Sequence, residues 1–169
     1  MQDLFDLRLW LEPEAAALAA KRAVRFPDHI AAMRDFCQRE EEVEDRADVA
    51  SWLTDHYRAH RRIAVLSANA ELDRVLSEVL LKRERYHALD VISPASGTRS
   101  TGSTHRALMD AIATGDSAEA RELAAQHVSG ARDRAVTAVL DSEALRTVDL
   151  TSLGPSPEHR DRESSACSA

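Results

Sequence analysis

Four of the seven histidines, His56, His60, His105 and His127, fall where the local sequence reads as a helical apolar stripe. Imidazole is costly to bury unless its nitrogens find partners, so four such positions ask for a joint account. His56 and His60 are four residues apart and share one helix face, stacked a turn apart. His105 and His127 flank the turn at Gly115 and Asp116, each about ten residues from it. In an antiparallel hairpin that spacing puts both at the same height, roughly 16 Å from the turn at 1.5 Å per residue. If the helix bearing His56 and His60 packs against this hairpin, four imidazoles meet in the bundle centre. Neutral imidazole suits a divalent ion such as Zn²⁺ or Ni²⁺. Spacing alone leaves a second reading open, in which these are unrelated core histidines. His29 and His87 sit at stripe edges and read as ordinary, partly exposed residues.

Two metalloenzyme patterns are excluded. A zincin carries its general-base glutamate in HExxH, and the stretch here is His56-Tyr57-Arg58-Ala59-His60. Ferritin-like di-iron bundles use two Glu-x-x-His motifs with further glutamates, and only Glu84 to His87 matches.

The elements that must position the histidines are helical. Five glycines, five prolines and 4% aromatic residues in 169, with abundant alanine and leucine, favour helix throughout. Six helical segments are expected. The first runs from about Asp3 to Arg22, with Leu4, Leu7, Trp10 or Leu11, Ala15 and Leu18 in period; Pro13 either kinks it or starts a new helix. The second begins near Pro27 and carries Ile30, Met33, Phe36 and Cys37 before the acidic run Glu40 to Asp45. The third spans about Val49 to Ser67, and the fourth follows an Asn69 cap to about Asp90. A Gly- and Ser-rich loop, Ser93 to Ser103, precedes the fifth, about Thr104 to Ala113, which Gly115 ends as a C-cap. Ser117, with Glu119 and Ala120, opens the sixth, which continues to about Leu140. The expected organisation is an all-α antiparallel bundle over residues 1–142 and a Ser-, Pro- and charge-rich disordered tail over 143–169, which holds His159 and Cys167.

The net charge of −7 shows no basic stripe of the kind that grips DNA. Arg58, Arg61 and Arg62 read as a solvated helix face. Cys37 and Cys167 lack ligand spacing, which fits a reducing cytoplasm. The first residues do not have the form of a signal peptide, and no apolar run is long enough to span a bilayer.

Beyond these physical readings, the segment Arg8-Leu9-Trp10-Leu11-Glu12-Pro13-Glu14-Ala15-Ala16 resembles the opening of the FCD domain, the effector domain of FadR-type GntR transcription regulators. His60 followed by Asn69 and Leu72 is similar to that family's histidine helix and its Asn-capped successor. The block His105 to Ile112, then Gly115-Asp116 and Ala120 to His127, is similar to its last two helices. The resemblance covers about residues 3–140.

It implies a helical bundle around one effector pocket, with a divalent metal held by an aspartate and three histidines. The histidines correspond to His60, His105 and His127. The aspartate position, four residues before the first histidine, is His56 here. Asp55 is adjacent, but five residues put it about 140° around the helix from His60. Either His56 completes a four-histidine site or the site is weakened. The usual aromatic before the first histidine is replaced by Ala59.

The resemblance further implies a small organic acid as effector, held by Arg8 and the metal, in a homodimer that reaches DNA only through an N-terminal winged helix-turn-helix. No such segment stands in this sequence, which fits a fragment of a regulator or a stand-alone effector domain. Arg8 could instead form a surface ion pair with Glu12, four residues on. A metal-dependent helical-bundle enzyme and a ligand-free helical interaction module are the alternatives.

Overall fold

The computed structural model describes residues 2–23, 25–28, 30–31, 34–35, 38, 49–92 and 101–140, with the side chains of 49–55, 84–92, 101–104 and 138–139 left aside. The described residues form five helices and no strand: α1 (Gln2–Ala23), α2 (Val49–Leu66), α3 (Ala70–Ile92), α4 (Thr101–Thr114) and α5 (Ser117–Leu140). The expected helix from Pro27 is described in pieces, and Pro27, Asp28, Ile30, Ala31, Arg34, Asp35 and Gln38 are all helical; Cys37, His29 and the tail lie outside the described residues. Ile30 is described, and it joins the main core.

α1 is the hub of the bundle, in contact with each of the other four helices. Its sequence explains how. Ala15, Ala16, Ala17, Ala19, Ala20 and Ala23 are all buried. Methyl side chains let neighbouring backbones approach from several directions, and a helix buried all round has no single apolar stripe. The chain continues helically through Pro13, itself buried. The proline removes one backbone donor, but the packing on either side holds the helix. Of Trp10 and Leu11, the inward residue is Leu11; Trp10 is 72% exposed.

α1 packs most extensively on α5. Phe5 nests with Val128, Ala131 and Ala135, while Glu14 pairs with Arg121. Numbers that rise along one helix fall along the other, so the pair is antiparallel.

Two tight hairpins complete the bundle. Between α2 and α3, Ala68 adopts a left-handed φ of 44°, Ser67 Oγ donates to the Ala64 carbonyl at 2.6 Å, and Asn69 Oδ1 caps α3 by accepting from Leu72 N at 3.1 Å. Between α4 and α5, Gly115 has φ 80°. Gly115 N reaches the Ile112 carbonyl at 3.1 Å and Asp116 N that of Ala111 at 3.0 Å, a Schellman closure. α5 opens at Ser117 as expected, and Asp116 caps it: its Oδ1 accepts from Ala118 N at 3.1 Å and Glu119 N at 3.0 Å. α4 also starts earlier than expected, at Thr101.

Leu76, Leu80, Leu108, Met109 and Ile112 fill the core around α1. Among the described residues no helix is long and apolar enough to cross a membrane.

Candidate metal centre

α2 carries His56 and His60 one turn apart, on the face that also buries Tyr57, Ile63 and Ala64. The Schellman turn fixes α4 against α5 in the register that sets His105 opposite His127, with their Nε2 atoms 3.1 Å apart. All four imidazoles are buried. Ring centroids are 4.7 Å apart for His56–His60, 4.9 Å for His56–His105, 5.0 Å for both His60–His105 and His60–His127, and 4.3 Å for His105–His127. One ligand-capable atom from each residue lies within 4.8 Å of the others. The expected convergence is therefore present in the fold, with His56 inside the cluster. The side chain of Asp55 lies outside the described residues.

The donor set fits a divalent ion. The Nε2 atom of His60 is buried and has no hydrogen-bond partner among the described residues. That is an expensive state for a lone pair unless something electrophilic meets it. Tetrahedral coordination at 2.0–2.1 Å would put donor nitrogens about 3.3 Å apart. The His105–His127 pair, at 3.1 Å, is near that spacing, and the other donors lie within 4.8 Å of one another. Two of the four, His127 and His60, are also held neutral. Burial lowers the proton affinity of His127 well below the ordinary imidazole value, and neighbouring His105, His60 and His56, then Arg8, lower it further. Burial lowers that of His60 too, with Glu12 opposing in part. Unprotonated imidazole is the form that ligates.

Glu12, on α1, escaped notice in the sequence as a site residue. Its Oε2 lies 2.6 Å from His60 Nδ1, and its Oε1 accepts from Arg8 Nε. Burial would raise its pKa, but Arg8 and then His60 more than offset this and hold it at about 2. The Arg8–Glu12 pair foreseen at four-residue spacing thus exists, yet it is internal: Arg8 is 2% exposed. Arg8 Nη2 has no hydrogen-bond partner among the described residues. Its guanidinium carbon lies 5.5 Å from the Phe5 ring centroid, and that of buried Arg83, from α3, lies 4.7 Å from the same ring. Arg83 is a second cation that sequence reading did not single out, because one arginine on a helix rich in charge carries no signal. A small cavity, with room for about one water, opens beside Glu12 and His60 between Ala15, Ala16, Leu76 and Leu108. Arg61 and Arg62 are exposed, as a solvated face requires.

Comparison with known proteins agrees with this architecture. Residues 3–130 match the FCD domain family. No curated protein of similar sequence was found. Among solved structures, one described as Streptococcus agalactiae GntR superposes with a TM-score of 0.65 at 23% sequence identity. The match covers 78% of this chain and 57% of that one, so the chain spans little more than half of its structural neighbour. The helical fold is shared, and the family match extends over most of the sequence, including His56, His60, His105, His127, Arg8 and Glu12: the chain belongs to the FCD domain family.

Proposed function

We propose that this chain is the ligand-sensing effector domain of a GntR/FadR-type transcription regulator, binding a divalent metal and a small organic acid. The observation that carries the reading is the buried group of four imidazoles around Nε2 of His60, which has no hydrogen-bond partner among the described residues. His60, His105 and His127 would hold the ion, with His56 as the fourth ligand in place of the family's aspartate. Zinc or nickel is the ion best matched to an all-nitrogen set. When bound, such an ion supplies positive charge and, by expanding beyond four ligands, a coordination position for a carboxylate oxygen.

Arg8 is the protein's own contribution to acid binding. One edge of its guanidinium is tied to Glu12, while Nη2 remains available for a carboxylate. The surrounding core is built from Ala, Leu, Ile and Met. An anion entering such a site is stable only where positive charge meets it. Because α1 touches α2, α3, α4 and α5, a ligand that draws on Arg8 acts on all four. In an intact dimeric regulator this would bias two arrangements of the DNA-binding heads, by no more than the ligand's differential affinity for them. DNA contact would belong to a winged helix-turn-helix segment of the regulator and not to these helices.

The test is isothermal titration with two- to six-carbon organic acids into wild type, Arg8→Ala and metal-stripped protein, alongside elemental analysis. Micromolar to millimolar binding that weakens in both altered forms is expected. Equal binding in all three refutes the metal-plus-arginine reading.

A further inference from the structure

The two oxygens of the Glu12 carboxylate face different partners on different helices. Oε1 accepts from Nε of Arg8, one turn earlier on α1, and Oε2 lies 2.6 Å from Nδ1 of His60 on α2. An ionised carboxylate is an acceptor only. The short contact at Oε2 therefore requires the His60 proton to sit on Nδ1. Neutral imidazole has one proton, so the lone pair falls on Nε2. That atom is buried among the three other imidazoles and has no hydrogen-bond partner among the described residues.

We propose that Glu12 is a positioning residue for the metal centre: by gripping Nδ1 it selects the tautomer and ring orientation that present Nε2 of His60 as a ligand, and through its other oxygen it couples that ligand to Arg8. Ligating histidines commonly give their second N–H to a carboxylate, and loss of such a partner weakens metal affinity about 10- to 100-fold. The inference rests on the metal reading above, and it adds a physical route from acid to metal. An acid that pulls Arg8 toward itself draws on the carboxylate that orients His60, so occupancy of one site changes affinity at the other. By reciprocity the factor is the same in both directions.

Glutamine separates this role from simple packing. Glu12→Gln keeps size and shape but offers one acceptor oxygen where two are needed. If that oxygen serves Arg8, the amide NH₂ faces Nδ1 of His60 and favours the opposite tautomer, with a proton on Nε2. If it serves His60, the NH₂ opposes Arg8 Nε, donor against donor. Glu12→Asp keeps two acceptors on a shorter stem and should recover part of the loss.

The experiment uses the full chain, stripped of metal and titrated with Zn²⁺ or Ni²⁺ against a competing chelator. Long-range ¹H–¹⁵N spectra of the histidine rings are recorded at neutral pH, with His60 assigned by comparison with His60→Gln. Wild type should show His60 protonated on Nδ1, Glu12→Gln should bind metal about 10- to 100-fold more weakly, and Glu12→Asp should fall between. An Nε2–H tautomer at His60 in metal-free wild type overturns the proposal by itself, even if no variant folds. Equal metal affinity in wild type and folded Glu12→Gln overturns it as well. Failure of wild type to take up either ion refutes the metal reading itself, a different result from either of these.

Discussion

His127→Ala separates metal binding from packing. The ring it removes lies 4.3 Å from that of His105, 5.0 Å from His60 and 5.7 Å from His56. One of four donors disappears, and with it the near neighbour of His105 Nε2. An ion supplied at 100 times its dissociation constant stabilises the native state by about 2.7 kcal/mol. In a domain of this size that corresponds to roughly 5–10 °C in Tm. His127→Ala should lose most of that metal-dependent increment, with a metal-independent packing cost of about 1–3 kcal/mol. Val128→Ala is the control. Val128 is wholly buried but packs with Phe5, Ala131 and Ala135. Truncating it should cost about 2 kcal/mol with or without metal, and the ion-dependent shift should stay intact. Thermal unfolding followed by circular dichroism, with chelator and with Zn²⁺, reads all four quantities. A full metal shift in His127→Ala, or its loss in Val128→Ala, would refute the assignment.

Ala68→Gly should stabilise the protein by about 1 kcal/mol, roughly 2–4 °C, because φ 44° costs an alanine what it spares a glycine; a lower Tm would show that the turn is not strained. Asp116→Ala should cost about 1 kcal/mol through loss of two capping bonds, seen as a lower urea midpoint, whereas Ser117→Ala should cost less. Metal-free protein should weaken as acid is added, in two stages. His127 and His60 bind protons less readily when folded than the ordinary value of 6.5, so the unfolded chain takes up more protons and stability falls as pH drops below that value. Glu12 is depressed from 4.5 to about 2, so its share is present above pH 4.5 and is lost as pH falls towards 2. Urea denaturation at stepped pH checks this, and a stability that rises between pH 7 and 5 would contradict it. The chain alone should not bind DNA sequence-specifically, its net charge being −7; a nanomolar, sequence-dependent gel shift would disprove this.

Much of the bundle was legible because its signals are local. Asn69 announces the cap of α3, Gly115 the end of α4, and the equal distances of His105 and His127 from that turn fix their meeting. The Val49 start of α2 and the Ser117 to Leu140 span of α5 could be read from periodicity. What sequence could not show depends on neighbours. α1 is lined with alanine on several sides, so the expected stripe of Leu4, Leu7 and Leu18 is only half-buried while Phe5, Arg8 and Glu12 are buried, and Glu12 looks in sequence like half of a surface pair with Arg8. Only the approach of α2 makes Glu12 a partner of His60. The choice between Trp10 and Leu11 was likewise made only by the fold, which packs Leu11 on the core and leaves Trp10 exposed. At the α4–α5 turn, Asp116 and Ser117 are both good caps by residue type. The Schellman geometry at Gly115 selects Asp116.

The pairing of α1 with α5 also has a consequence for how the chain acquires its structure. The first helix finds its largest partner in the last, and the ion pair that fastens them joins residues 107 positions apart. Contacts of such separation come late, since a long loop must be closed before they form. On a ribosome adding about 5–20 residues per second, α1 would emerge and wait several seconds for α5. Until then its alanine-lined surface and the buried Arg8–Glu12 pair lack their covering. Fragments ending before Ser117 should therefore be protease-sensitive and poorly soluble, while the hairpin of α4 and α5, closed by its own turn, can form quickly once translated.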